Sequence, residues 1–462
     1  MGLRRLNPFR GLPNPREVWA WGMYDLANQS FTLLINTMLF SVFFSKVIVT
    51  DAKRGELLWS RLYAGSLLLV VLASPIAGAI ADHRSVKKKV LIGLGIACSV
   101  FTCLLGVLRP GMVWLAAAIY IPANFFFAIG ENFLAAFLPE IARPHQMGRV
   151  SAIGWTMGYV GALILLVLAL ALMKFFGWEH ESSWRPLLVL AGAWFLVMGI
   201  PTALFLKERP RRAPTADESG SLLAIGFARL AQTARHASRF RQLMRFLVIF
   251  FIYGMGVQIV VAFASIVARD YGFTGTELAL FLLQLTVTAG ASSVFAGMYQ
   301  DRLGHKRTVL VFLLIWVVTA IGMAMLPNPA GGEGRKWMIW ILGNGVGLGL
   351  GGIGTASRTM VGVFTPAHRT AEFFGLWGLS YKLAGVVGVA SFGYIKSSIG
   401  NTASFVALAA VFVAGLIGLL FVDERSGQQA ARDAEAVEGA ALTDERDVAA
   451  AAASGIVTPP PS

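Results

Sequence analysis

Apolar runs of about 20 residues follow one another along this chain from residue 18 to residue 422, and they dictate most of what it can become. A helix of that length spans the roughly 30 Å of a bilayer's hydrocarbon core. A large soluble core has no need of such uniform, recurrent runs. Inside hydrocarbon no water is available to backbone N–H and C=O groups, so each run must satisfy its own as a helix. The composition agrees: 56% of the 462 residues are hydrophobic and 14% are charged, against about 25% charged in ordinary soluble domains. The expected fold is all-α and integral to a membrane. Its spans are read at 18–49, 57–81, 90–108, 112–138, 149–173, 185–206, 244–268, 276–299, 307–326, 337–363, 372–396 and 403–422.

An even number of spans puts both termini on one face. The polar, Arg-rich stretch 207–243, with Pro210 and Pro214, divides the set six and six. The organisation expected is therefore a six-helix bundle over 1–206, a cytoplasmic central loop over 207–243, a second six-helix bundle over 244–424, and a disordered cytoplasmic tail over 425–462. Within the loop, Leu222 to Arg245 spaces apolar and basic residues like a helix lying on a surface. Polarity sorts the spans too. The third, sixth, ninth and twelfth are almost purely apolar and suit lipid contact. The first, fourth, fifth, eighth, tenth and eleventh carry polar stripes and suit a cavity.

The net charge of +14 would suggest nucleic acid in a soluble protein. Here the basic residues cluster at helix ends and in the central loop, so membrane lipid is the expected partner and nucleic acid is not. The N-terminal tail and the central loop set the charge bias between faces; the short loops alone are nearly balanced. Together with the family resemblance given below, this places both termini in the cytoplasm, in what the compact loops suggest is a bacterial inner membrane. Cys98 and Cys103 share one apolar span, which indicates no disulfide framework. His83, His145, His180, His236, His305 and His368 fall in or near loops. No cluster suggests a metal, a cofactor or an enzyme's catalytic machinery. The basic N-terminus precedes an apolar stretch, Val18 to Val49, too long for a signal peptide, so it reads as an uncleaved first helix.

One short passage occurs twice, each time between two apolar spans. The first copy carries Gly78, Asp82, Arg84, Lys87 and Lys88; the second carries Gly297, Asp301, Arg302, Gly304, Lys306 and Arg307. The pattern is Gly, an Asp four residues on, then a basic cluster. It resembles the signature of the major facilitator superfamily of transporters. The first copy departs from it at His83 and Ser85. The resemblance implies twelve transmembrane helices as two pseudo-symmetric bundles, alternating access between them, and a substrate site at their interface. It also implies that Asp82 and Asp301 gate the cytoplasmic side: each would accept hydrogen bonds at a facing helix N-terminus and lock the halves when that side is closed.

Within that superfamily the chain resembles the vacuole-effluxer-like branch, the autophagy-linked vacuolar amino-acid effluxers and their bacterial relatives. The residues carrying this are Tyr24 to Asn28, Asn132 to Glu140, Gly148 to Trp155, Ser357-Arg358, Glu372 to Leu376, and Lys382. Met255 stands where relatives tend to carry an acid and Gly354 where they often carry glutamine, which leaves substrate and coupling ion open.

Ionisable residues at membrane depth are costly and usually face a cavity or a partner. Asp25 and Glu131 lie in the first half; Arg358 and Lys382 lie in the second. Asp25, Asn28, Thr32 and Asn36 recur at helical spacing, as do Asn124 with Glu131, and Asn344, Gly351 and Arg358. Trp155/Tyr159 reappears as Trp377/Tyr381, and Tyr24/Gln29 as Tyr253/Gln258. Two readings stand. Either the four charges pair across the halves and hold one conformation closed, or they bind a zwitterion, its amine on the acids and its carboxylate on the bases. Asp25 or Glu131 could relay a coupling proton in either case. The Gly-rich run Gly343 to Gly354 reads as a close-packing surface, and Thr274 with Glu277 as a capping box.

The expected activity is secondary transport of a small polar solute, an amino acid or similar zwitterion, with efflux favoured and the single chain acting as a monomer. A sugar, peptidoglycan fragment or drug as substrate is the alternative within the fold; a non-transporting receptor or scaffold is the alternative outside it.

Overall fold

A computed structural model describes residues 9–83, 86–143, 146–209, 222–326, 336–366 and 369–436. Each expected span is a helix long and apolar enough to cross a membrane. They are α1 (Pro15–Ile48), then α2 (Ala52–His83), α3 (Lys87–Leu104), α4 (Val113–Ala135), α5 (Met147–Phe176), α6 (Arg185–Phe205), α7 (Arg241–Asp270), α8 (Gly275–Leu303), α9 (His305–Ala324), α10 (Lys336–Val363), α11 (Thr370–Ser398) and α12 (Asn401–Leu420). Local chemistry sets several ends. The expected capping box opens α8, with Thr274 Oγ1 accepting from the Glu277 amide and the Glu277 carboxylate accepting from the Thr274 amide. Gly177, at φ +70°, closes α5 in the left-handed conformation that glycine adopts without strain.

α1 departs from ordinary helical winding. Ser30–Leu39 and Phe44–Ile48 are π-helical, which shifts each later side chain around the axis. The expected stripe is broken as a result. Asp25 keeps its place between the halves, but Asn36 turns into the first half, where its Oδ1 accepts from Tyr120 Oη at 2.7 Å. Its Nδ2 donates to Asn124 Oδ1 at 3.3 Å, and Asn124 donates in turn to Ser66 Oγ at 2.7 Å. Asn36 and Asn124 are thus partners in a buried network, not cavity-lining residues.

α1 to α6 pack on one another, as do α7 to α12, and the two sets meet through α2 on α11, α5 on α8 and α1 on α7. α3, α6, α9 and α12 turn side chains such as Val100, Val197, Val318 and Leu420 outward, as their uniform apolarity predicts. The glycine run of α10 lets that helix press against α8. A Cβ on Gly351 would lie 1.8 Å from the Ala289 carbonyl oxygen, so only glycine fits.

At the face carrying the termini, carboxylates cap helices in both halves. Glu208, just after α6, accepts from the amides of Lys87 (2.7 Å) and Lys88 (3.2 Å) at the start of α3. Glu424, just after α12, accepts from the amides of His305 (3.2 Å) and Lys306 (2.9 Å) at the start of α9. The charge suits the positive end of the helix dipole. The linker helix (Leu222–Ser238) packs against α2, α7 and α11, so it touches both sets. Pro210 and Pro214 lie outside the described residues. The tail expected to be disordered from 425 is helical as far as 436 and lays Gly427 against Phe364; the rest lies outside the described residues.

The opposite, distal face is closed between the sets. Lys46 at the end of α1 reaches Glu56 on α2 (3.1 Å) and Asp270 at the end of α7 (2.6 Å). Lys396 on α11 reaches Asp270 (2.8 Å) and also pairs with Glu56. Around this quartet Glu181 pairs with Arg269, the Glu179 backbone carbonyl accepts from the Gly275 amide, and its carboxylate accepts from the Thr276 amide (both 3.1 Å). One turn below, Trp59 Nε1 donates to the Ala262 carbonyl at 3.0 Å.

Candidate functional site

Below that closure, α1, α4, α5, α10 and α11 bring the four membrane-depth charges to one space between the sets. Asp25 sits against α5 at Gly154, where a Cβ would come within 2.4 Å of Oδ2. It lies within electrostatic reach of Glu131 on its own side and of Arg358 opposite. α1 is fixed to α4 here by Trp21 Nε1, which donates to the Leu134 carbonyl at 2.8 Å. Arg358 lies over the rings of Trp155 (5.9 Å to the centroid) and Phe374 (5.8 Å), so one aromatic from each set holds the guanidinium. Lys382 crosses between the sets, donating to Asn132 Oδ1 (2.7 Å) and to the Ala128 carbonyl (3.3 Å). Asn132 is oriented by Ser74 Oγ, to which it donates at 3.1 Å.

Among the described residues no ion pair within 4 Å joins Asp25 or Glu131 to Arg358 or Lys382. The first of the two readings, direct pairing of these charges across the halves, is therefore not realised in this conformation. The space is not filled by protein: Glu131 is exposed, and Trp155 is 54% exposed although it faces Arg358. Two acids thus line one side and two bases the other, within electrostatic reach and without contact.

The remaining candidates divide. Tyr159 stands beside Trp155, their ring centroids 6.4 Å apart. Trp377 and Tyr381 pack on Phe250, at 5.3 and 5.8 Å. Asn28 is buried at 2% exposure, with neither amide atom hydrogen-bonded. Gln258 is also buried and donates to the Tyr381 carbonyl at 3.3 Å, so its amide is engaged within the second half. Tyr24 and Tyr253, matched in sequence, both go to packing: Tyr253 Oη bonds Ser357 Oγ at 2.7 Å, and Tyr24 meets the Phe195 ring edge-on. Sequence reasoning missed Asn132 as a site residue and Phe374 as a second face for Arg358.

Of the gating motif, Gly78 and Asp82 occupy the last turns of α2, and the side chains of residues 78–85 lie outside the described ones. Gly297 is on α8. Asp301 near its end is 79% exposed at its side chain and pairs with His305 at 3.3 Å; Arg302 beside it is exposed. Asp301 caps no facing helix among the described residues; Glu424 caps α9 within the same half. Asp301 makes no ion pair with the first half among the described residues.

Two solved structures share this architecture. The nucleoside transporter NupG superposes with a TM-score of 0.63 at 11% identity, over 88% of this chain and 98% of that one. A D-xylose-proton symporter superposes with a TM-score of 0.65 at 14% identity, over 89% and 98%. The fold, with its charged space between two helical sets, is that of a membrane transporter of the major facilitator type. The profile of the vacuole effluxer Atg22-like family matches residues 62–432, and the chain belongs to that family. The MFS-type transporter YxiO of Bacillus subtilis is 24% identical over 419 residues, 88% of this chain and 95% of the relative. Autophagy-related protein 22 of Kluyveromyces lactis is 24% identical over 365 residues, 72% and 73% of the two chains.

Proposed function

We propose that this chain carries a small zwitterionic solute of amino-acid type across a membrane by alternating access. The observation supporting this is the charge geometry between the sets: Asp25 and Glu131 on one side, Arg358 and Lys382 on the other, unpaired with one another in a space that protein does not fill. A solute with an ammonium and a carboxylate would complement both walls at once. Leaving either wall uncompensated at membrane depth is costly, so such a solute gains affinity from each. Trp155 and Tyr159 offer an aromatic surface beside Arg358 for the solute's body.

In this reading the termini are cytoplasmic and the distal face is extracytoplasmic. The conformation described is then inward-facing, closed at the distal quartet and accessible at Glu131. The family description, vacuole effluxer, supports efflux from a compartment as the direction of transport. Asp25 and Glu131 are the groups suited to carry a coupled proton, because they are the acids in the space. One chain supplies both walls, so a monomer suffices. The test is a thermal-shift screen of purified protein against amino acids, sugars and nucleosides, followed by flux in vesicles; a bound ligand raises the melting temperature according to its concentration over Kd. Stabilisation by zwitterions alone supports the reading. Stabilisation only by sugars or nucleosides overturns it.

A further inference from the structure

We infer that Lys46, Glu56, Asp270 and Lys396 form the distal gate of the transport cycle, built to open without leaving an unpaired charge. The inference rests on the alternating-access reading above. The four side chains alternate in sign around a closed ring, and each is between 3% and 17% exposed. Two contacts run between the sets, Lys46 to Asp270 and Lys396 to Glu56. The other two run within a set: Lys46 to Glu56 in the first half, and Lys396 to Asp270 in the second.

This division has a consequence for opening. When two buried partners part, each charge is normally left uncompensated, and that penalty is what makes a broken buried pair so unfavourable. Here the sets can separate and each still carries a neutral acid–base dyad. Only the cross-set contacts are lost. The ring therefore holds the distal end shut while keeping the barrier to opening low, which suits a gate that must cycle. The surrounding contacts of Glu179 and Glu181 with the start of α8 and the end of α7 close the same face and add to it.

The division also supplies the test. Exchanging signs within one half, Lys46→Glu with Glu56→Lys, keeps that half's dyad neutral but sets an acid against Asp270 and a base against Lys396. Adding Asp270→Lys and Lys396→Asp restores attraction across the sets. The reporter is Ser60→Cys, one turn below Glu56, buried and facing Gly393 on α11, in a background with Cys98 and Cys103 replaced by alanine. Labelling by a membrane-impermeant maleimide from the distal side reads opening and needs no solute. We expect the double exchange to label at least tenfold faster than Ser60→Cys alone, a shift of about 1.4 kcal/mol, and the quadruple variant to return toward the starting rate. Unchanged labelling in the double exchange overturns the gate. Fast labelling in both overturns it too, since the gain is then general loosening. Glu56→Gln, the milder change, should give a smaller increase if the double exchange folds poorly; no increase in this variant overturns the gate. Absence of solute flux in the parent, with this labelling pattern intact, sinks the transport reading and leaves the ring as the element closing that end.

Discussion

The molecule uses the same four-charge recipe twice, with opposite outcomes. At the distal face two acids and two bases from both halves meet in a ring, with distances of 2.6 to 3.1 Å for three of its contacts. At membrane depth two acids and two bases from both halves face one another, and no ion pair joins them. Both sets hold two acids and two bases; the reach of the bases differs. Lys46 and Lys396 sit at helix ends, where long stems swing to a partner. Arg358 is held by Trp155 and Phe374, and Lys382 is held by Asn132 and a carbonyl. Charges that satisfy one another lock a face. Charges satisfied by aromatics and amides stay available to a ligand.

Breaking the contrast most severely means removing an acid of the open set. If transport is proton-coupled, neutralising the coupling acid, Asp25→Asn or Glu131→Gln, should abolish accumulation driven by a pH gradient while counterflow without a gradient continues. Asp25 is the stronger candidate, lying nearest Arg358 in charge coupling and wedged against Gly154. Vesicles that still accumulate solute with either acid neutralised show that neither carries the proton.

Next in size come the bases. Arg358→Gln and Lys382→Gln should each weaken binding of a zwitterion roughly 10- to 100-fold, the scale of about 1.5–3 kcal/mol for a charge-assisted hydrogen bond. Titration calorimetry checks this. Intact affinity in both variants would mean the open set is structural like the distal one, and the contrast collapses.

A smaller effect separates the two copies of the gating motif from the distal ring. Asp301 is mostly exposed and pairs only with His305 among the described residues. Asp301→Asn should therefore slow flux a few-fold with no change in equilibrium affinity, because its cross-half contact would form only when the opposite gate is open. An altered Kd with unchanged flux contradicts this.

What could be read from the chain follows from what hydrocarbon imposes locally. Every span was legible because backbone satisfaction forces helices. So were the outward-facing order of α3, α6, α9 and α12, the Thr274 cap and the close packing of α10 at Gly351. The four unpaired charges were legible because their cost at depth marks them. The distal ring was not. Lys46, Glu56, Asp270 and Lys396 each end a span and read singly as solvated charges, and Lys396 meets Glu56 across 340 residues of sequence. The failure of the α1 stripe has a different origin. Asn36 was assigned by a 3.6-residue period, and π-helical winding, stabilised by tertiary contacts such as Tyr120 and Asn124, moved it inward.

A third way of satisfying charge, neither ring nor ligand wall, is Glu424 on the first turn of α9, and it sets the smallest effect. Partial burial would raise its carboxyl, but the Lys306 amide, the His305 ring and the His305 amide outweigh that and hold it below the usual carboxylate range. The sign follows from linkage. A carboxyl that titrates lower when folded adds stability in its ionised form, in full above the unfolded value of about 4.3 and lost as pH falls through the folded one. Glu424→Gln should thus cost about 0.3–1 kcal/mol at neutral pH, the range for an acid at a solvent-screened helix N-terminus. The gap in melting temperature between parent and variant should persist at pH 5 and close only below pH 4 or so. Because Asp301 is exposed and Glu424 carries the cap, Asp301→Asn should leave that profile unchanged. If Asp301→Asn instead flattens the profile as Glu424→Gln does, the cap and the gating motif are one unit, and the division of labour between them is wrong.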